Sequence, residues 1–338
     1  MLKSLLYNAE NKLLLPFYHL VVDNSPLYIT HLYKPKTIQG FKQDLDVLLN
    51  YYLPISLAEV IQINNEKQKL TKPSFHLTFD DGLRNFYTVV APILLEKGIP
   101  ATIFLNTDFV DNKDLFYRYK ASLLIADFLI ADTTKQGVYF EFVSKRQETR
   151  EKRQEVRGKK QETRNKRQEV KDFLLDINFQ QKHFLDELAT LVDYNFTHFL
   201  ETEKPYLSTI QIKELQKQGF TFGAHSANHP LYSELSLSEQ LKQTKTSLDW
   251  LQTNLLCKQK AFSFPFHDID VSKQFFESIA PDLDISFGTS GLKKDEISFH
   301  LHRLDMEKSN TNTKQFLIKE YVKVVAKKTL GKYIVKRE

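Results

Sequence analysis

A single cysteine in 338 residues, Cys257, removes two classes of protein at once. No intrachain disulfide framework can form and no Cys-rich zinc cluster can be assembled. Flanked by apolar residues, the thiol reads as a small core side chain. Long hydrophobic runs are also missing: no stretch approaches the roughly 18 apolar residues of a membrane span. The opening MLKSLLYNAENKLLLPFYHLVVD breaks its apolar patch with Asn8, Glu10, Asn11 and Lys12, so it lacks the apolar core and small-residue cleavage site of a secretory signal. A cytoplasmic location is the expectation. What is plentiful is core material, with 41% hydrophobic residues, 26 Phe and 15 Tyr, enough for a packed globular chain. The length permits one large domain or two smaller ones.

The net charge of +5 misleads, because it is concentrated in one place. Residues 145–172 hold 12 Lys or Arg against 6 Asp or Glu, which leaves 35 basic and 36 acidic residues in the nearly neutral remainder. That basic stretch is a heptad repeat, KRQETRE, KRQEVRG, KKQETRN and KRQEVKD. Helix formers dominate it, and Glu148–Lys152 and Glu155–Lys159 have helical i,i+4 spacing. Each heptad offers at most one Val or Thr where a coiled coil needs two apolar seam positions, so the pattern predicts a solvated, partly helical insertion. Lys and Arg runs of this kind also suit an anionic surface. With no aromatic residue to stack on bases, nucleic acid is not an expected partner.

Around the insertion, strands and helices alternate. Apolar runs at Leu13–Tyr18, Phe75–Phe79, Ala101–Leu105, Phe220–Ala224 and Ala261–Phe264 predict buried strands. Helical spacing appears in Phe41, Leu45, Leu48, Leu49 and Tyr52, and again across Leu83–Lys97 up to Gly98. Ser208-x-x-Gln211 and Ser236-x-x-Glu239 are capping boxes that open two further helices. Trp250 and most Phe residues are expected in the core. The pattern predicts an α/β fold, a distorted (β/α) barrel with parallel strands, plus an inserted mostly helical subdomain. The expected boundaries are 1–110 and 206–338 for the barrel and 111–205 for the insertion.

Three polar clusters follow three of these strands: Thr78-Phe79-Asp80-Asp81-Gly82, His225-Ser226-Ala227-Asn228-His229-Pro230, and Pro265-Phe266-His267-Asp268. In a parallel α/β barrel all strand C-termini open on one face, where active sites are built. Asp81 and His225 lie 144 residues apart, so only the fold can unite them. Each cluster alone has an ordinary explanation, since Asp-Asp-Gly is a common turn and a His-x-x-x-His pair can sit on any loop. Pro230 disfavours helical geometry at His229, so the pair should lie in a turn. Together they supply two imidazoles and a carboxylate, a standard ligand set for a catalytic zinc with an open position.

TFDDG followed by HSANH resembles the polysaccharide deacetylase family, the chitooligosaccharide deacetylase-like carbohydrate esterases. Tyr18-His19, Phe41-x-x-x-Leu45, Pro54-Ile55-Ser56-Leu57 and Lys204-Pro205-Tyr206-Leu207 are similar to the same family, so the resemblance spans roughly residues 12–110 and 203–305. It implies a distorted (β/α) barrel and metal-dependent hydrolysis of N-acetyl, sometimes O-acetyl, groups on a polysaccharide, oligosaccharide or glycan precursor. By the same resemblance Asp80 is the general base, and Asp81, His225 and His229 hold a divalent metal, Zn²⁺ first, with Co²⁺, Ni²⁺ or Mn²⁺ open.

This chain departs from the family in its third motif, where Ser263 stands in place of an Arg that orients the base. The family's distal Leu-x-His, which supplies the acid, has His300-Leu301-His302-Arg303-Leu304-Asp305 as its nearest counterpart. His302 is therefore expected to be the general acid and Arg303 to replace the missing Arg. His19, Phe266 and His267 are expected to line the substrate pocket. Two other readings stay open on the sequence: a carbohydrate O-acetyl esterase, and a non-catalytic glycan-binding protein on the same barrel.

Overall fold

The computed structural model describes residues 1–7, 12–67, 70–153, 166–308 and 312–338. The chain divides into two compact units. One comprises residues 1–24, 35–113 and 204–338, the other residues 25–34 and 114–203.

The first unit is a nearly closed barrel of eight parallel strand segments: β1 (Pro16–Tyr18), β2 (Leu77–Phe79), β3 (Ala101–Leu105), β4 (Thr221–Ala224), β5 (Ala261–Ser263), β6 (Ile285–Gly288), β7 (His300–His302) and β8 (Leu304–Asp305). Their spatial order is β7-β6-β5-β4-β3-β2-β1-β8, every neighbouring pair being parallel. The two ends of that order are consecutive in the chain. β7 pairs with β6, β8 pairs with β1, and the single residue between them is Arg303. Its N–H donates to Gly288 O at 2.9 Å, and the next N–H, of Leu304, donates to Leu15 O at 2.8 Å. One extended segment thus changes partner midway, and that switch joins the two ends of the strand order.

Strands buried on both faces read as continuous apolar runs, and all five residues of β3 are buried. The sequence pattern does not announce β6, because Ser286 and Gly288 interrupt its apolar run. Outside the barrel, Ile38–Tyr51 (α1) is capped by Thr37 and buries Phe41, Leu45 and Leu48 along one face. The helix expected over Leu83–Lys97 is instead a π turn at Phe86–Val90, with Ala91 N–H bonded to Phe86 O, followed by Ala91–Lys97 (α2). Pro92 has no N–H to give to the preceding turn, which accounts for the shifted ladder. Gly98, at φ 64°, ends α2. Both capping boxes form, opening Thr209–Lys217 (α3) and Leu237–Leu255 (α4). A last helix, Thr313–Thr329 (α5), is capped by Asn312. Trp250 and Cys257 are half-buried against the core, and burial pushes the thiol up to about 11.

The second unit is helical. Tyr117–Ile130 buries residues around its whole circumference, among them Tyr119, Leu123, Leu124 and Phe128. Residues 25–34 cluster here rather than with the barrel, which differs from the boundaries expected above. The reason is local: Tyr28 packs its ring 5.1 Å from Tyr119, and Ser122 Oγ donates to Leu27 O at 2.7 Å. The charged repeat enters this unit as the end of helix Thr133–Arg153 and the start of Lys166–Asp176, while its centre, 154–165, lies outside the described residues. No helix among the described residues is long and apolar enough to cross a membrane.

Barrel closure leaves little slack between β3, β4 and β5. A Cβ on Gly223 would stand 2.4 Å from the Phe104 ring and 2.9 Å from Ala261 O. Gly223→Ala should therefore cost about 1–3 kcal/mol of stability, read as a lower urea midpoint at unchanged slope. An unshifted midpoint would show that Phe104 can give way.

Candidate active site

The loops after β2, β4 and β5 open on the same face of the barrel, and each carries non-glycine residues in left-handed backbone. Asp81 has φ 69°, Ser226 68°, His229 59° and Phe266 56°. Such residues are uncommon and cluster where the surroundings over-determine the geometry. At Gly82, φ 60°, an added Cβ would meet Leu105 at 2.7 Å, so only glycine can follow Asp81 here.

These turns bring Asp81, His225 and His229 together. Asp81 Oδ1 lies 3.6 Å from His225 Nε2 and 3.3 Å from His229 Nε2, with all three side chains buried. The fit to a cation follows from these separations. Ligands held tetrahedrally at about 2.0–2.2 Å stand about 3.3–3.5 Å apart. His225 Nδ1 lies 2.8 Å from Ser263 O, a carbonyl that can only accept, which leaves Nε2 as the ring's lone-pair nitrogen. Burial first, helped by His229, lowers the His225 pKa to about 4, so its ring is neutral near pH 7. Burial alone would raise Asp81, but His229, then His19 and His225, hold it well below the usual carboxylate range.

The turn is locked by residues to which the sequence assigned no role. Ser226 Oγ accepts from His229 N–H at 3.0 Å, and Asn106, just after β3, donates to His225 O. A short polar residue after a strand is too common a signal to single either out.

Asp80 points to a different partner. Arg303 Nη1 donates to Oδ1 and Nη2 to Oδ2, both at 2.7 Å. The same guanidinium donates to Thr78 Oγ1 at 3.1 Å and to Ser263 Oγ at 2.6 Å, and lies over the Phe17 ring at 4.6 Å. Ser263 thus accepts from an arginine supplied by the β7–β8 junction. Burial opposes the charge on Asp80, but Arg303, then His225 and His19, keep its pKa below the ordinary value.

His302 is not brought to this group. Its side chain is fully enclosed, with Nε2 3.0 Å from Asp295 and Nδ1 accepting from Ser290 N–H at 3.3 Å. It belongs with Asp268, Asp295 and His300 to a second set of ligand-type residues. There Arg337 Nη2 lies 2.6 Å from Asp295 and also contacts Asp268, so that set already holds a cation.

His19 is brought in. Its Nδ1 lies 2.7 Å from Glu307 Oε2, while Glu307 Oε1 accepts from the N–H groups of His19 and Leu20 at 2.9 and 3.0 Å. Burial works against a charge on His19, but Glu307 outweighs it, with Asp81 and Asp80 adding, and the pKa rises to about 10. The ring keeps 26% of its side-chain surface open to solvent. Glu307 carried no signal in the sequence. Phe266 is exposed and packs edge-on against His229 at 4.7 Å, and His267 is half-buried beside it.

Comparison with known proteins agrees with this architecture. The family described as polysaccharide deacetylase matches residues 67–155 and 183–278, more than half of the chain. No curated protein matches. Among solved structures, the Streptococcus pyogenes deacetylase PplD, in complex with acetate, superposes with a TM-score of 0.56 at 17% identity, over 92% of this chain and 98% of that one. IcaB from Ammonifex degensii gives 0.52 at 15% identity, over 91% and 97%. A de-N-acetylase from Aggregatibacter actinomycetemcomitans gives 0.51 at 13%, over 90% and 99%. At these identities the likeness is one of fold.

The His19–Glu307 pair sets a pH dependence. A folded pKa raised above the unfolded value near 6.5 stabilises fully below that value, and the contribution is lost as pH rises through about 10. In the metal-free protein, NMR should find His19 protonated up to about pH 10, and Glu307→Gln should bring its titration back towards 6.5. A wild-type His19 that titrates near 6.5 would contradict this.

Proposed function

The chain belongs to the polysaccharide deacetylase family, carbohydrate esterases that act on N-acetyl amide bonds, and on that premise we propose a metal-dependent de-N-acetylase of an N-acetylhexosamine-containing glycan. The observation that carries the proposal is the Asp81–His225–His229 set with ligand-to-ligand spacing suited to one divalent cation, beside an aspartate clamped by arginine. Two imidazoles and one carboxylate favour Zn²⁺, and the same donors accept Co²⁺, Ni²⁺ or Mn²⁺.

A divalent cation bound here supplies Lewis acidity, lowering the pKa of a water and polarising the acetyl oxygen. The chain's own groups do the rest. Asp80 is the general base that takes the proton of the attacking water. The Arg303 fork keeps it ionised and fixes the direction of both oxygens. That same fork makes Asp80 a weak base, adequate only for an acidified water, which is why the reading requires the cation. His19, kept protonated by Glu307, is the general acid that delivers a proton to the departing amine nitrogen. This assignment takes over the role expected of His302, whose nitrogens are committed to Asp295 and Ser290. Phe266 offers an exposed apolar face beside His229 for the acetylated sugar, and His267 flanks it. The products are acetate and a sugar bearing a free amine.

Two features of the sequence left a non-catalytic binding protein open: the absent orienting arginine and the missing acid. Arg303 on Asp80 and the His19–Glu307 pair supply candidates for both, which supports the enzyme.

Acetate release from N-acetylated chitooligosaccharides should stop on chelation and return with Zn²⁺. Asp80→Asn should lower kcat by about 10²–10⁴-fold while metal content, read by elemental analysis, stays near one per chain. His225→Ala should lose the metal itself. Full turnover in chelated protein, or an Asp80→Asn variant as fast as wild type, would defeat the proposal. His19→Gln should lose about 10²–10⁴-fold in kcat, whereas His302→Gln, if it folds, should stay within about tenfold. The reverse order would return the acid to His302.

A further inference from the structure

Phe266, the exposed ring offered above to the sugar, sits in an irregular loop between β5 and the helix Lys273–Ile279. Two residues of that loop, Phe266 at φ 56° and Asp270 at φ 64°, have left-handed backbone without being glycine. Such conformations persist only where the surroundings over-determine them. From Phe266 to Asp270 the one buried side chain is Asp268, at 1% exposure, midway between the two strained positions. What holds Asp268 therefore decides how firmly the loop keeps its shape.

The Asp268 carboxylate fills the space beside Gly288 that a Cβ there would need. Its Oδ1 accepts from Thr289 N–H at 3.0 Å, and its Oδ2 lies 3.2 Å from His300 Nε2 and accepts from Arg337 Nη2. Arg337 Nη1 donates to the backbone O of Asp268 at 2.5 Å, so one guanidinium grips both the side chain and the main chain of the same loop residue. The same group donates to Asp295 Oδ2 from Nε at 3.1 Å and from Nη2 at 2.6 Å. Arg337 is itself well fixed. Ile334–Val335 pair in parallel with Lys294–Asp295, Glu296 N–H donates to Val335 O at 3.2 Å, and the guanidinium lies over the Phe276 ring at 4.9 Å. A planar fork of five donors suits two carboxylates and a carbonyl at once, where an ammonium would meet fewer of them in fixed directions. This charge takes no part in the deacetylation chemistry, yet it is anchored two residues from Phe266, whose ring packs 4.7 Å from His229.

We propose that Arg337 is a positioning residue for glycan binding: through Asp268 it fixes the strained loop that presents Phe266 beside His229. The inference rests on the reading of Phe266 as a sugar contact.

Isothermal titration calorimetry with N-acetylated chitotetraose, on zinc-loaded protein in which Asp80→Asn blocks turnover, tests this as a double-mutant cycle. Phe266→Ala should weaken binding at least about fivefold, and Arg337→Met at least about threefold. The double variant should bind within about twofold of Phe266→Ala alone, because the loop then has no ring to position. Asp268→Asn leaves Arg337 paired with Asp295 and should repeat the pattern, which keeps the test decisive if Arg337→Met does not fold. With Asp80 in place, Arg337→Met should raise KM for chitotetraose by the same factor and keep kcat within about threefold. A guanidinium that serves only the core would instead lower the urea midpoint and leave the affinity where it was. Wild-type protein that binds chitotetraose but releases no acetate would refute the de-N-acetylase reading alone, and the cycle would still decide the proposal. Unaltered binding in the folded Arg337→Met and Asp268→Asn variants, losses that simply add to that of Phe266→Ala, a Phe266→Ala variant with wild-type affinity, or no binding by the wild type would overturn it.

Discussion

The bidentate contact between Arg303 and Asp80 is the interaction on which the rest of this molecule turns. Arg303 occupies the single position where one extended segment leaves β6 and joins β1, so its backbone closes the barrel while its side chain crosses the interior. Burying both charges carries a desolvation cost that geometry alone can offset. Here the fork meets both carboxylate oxygens and two hydroxyls, and the Phe17 ring lies beneath it. Replacing one partner would leave an uncompensated charge in the core, so closure and the aim of Asp80 rise or fall together.

Part of the backbone strain lies on the same face. Five non-glycine residues in left-handed conformation, Asp270 among them, stand in the three loops that carry Asp81, the two histidines and Phe266. Each costs of the order of 1–3 kcal/mol, and the cost is offset by hydrogen bonds such as Ser226 Oγ to His229 N–H. These turns bring the side chains that follow β2 and β4 to within 3.3 and 3.6 Å of one another.

The two groups of ligand-type residues differ in what faces their carboxylates. Both combine carboxylates and imidazoles within a few ångströms. In the group that includes His302, a guanidinium from near the end of the described chain contacts both carboxylates, and the histidine nitrogens are committed. At Asp81 the facing groups are imidazoles, one with its other nitrogen tied to a backbone carbonyl. Proximity of residue types is common to the two, and the placement of a permanent cation distinguishes them.

Much of the fold was legible because apolar runs, capping boxes and glycine stops are local signals. The strands at residues 101–105 and 221–224, the capping boxes at Ser208 and Ser236, and the end at Gly98 needed no partner to be read. The grouping of Asp81, His225 and His229 was legible from one further rule, that parallel strands end on one face. What the sequence could not convey were relations without a local signature. Glu307 lies 288 residues from His19, and nothing around it distinguishes it from any other surface glutamate. His302 carried the better motif, yet the alternation of side chains along β7 and β8 turns it towards Asp295 while its neighbour Arg303 faces Asp80. Residue chemistry was set by the sequence alone; which histidine meets which carboxylate was decided by strand register and barrel closure, because a one-residue step along a strand reverses the face to which a side chain points.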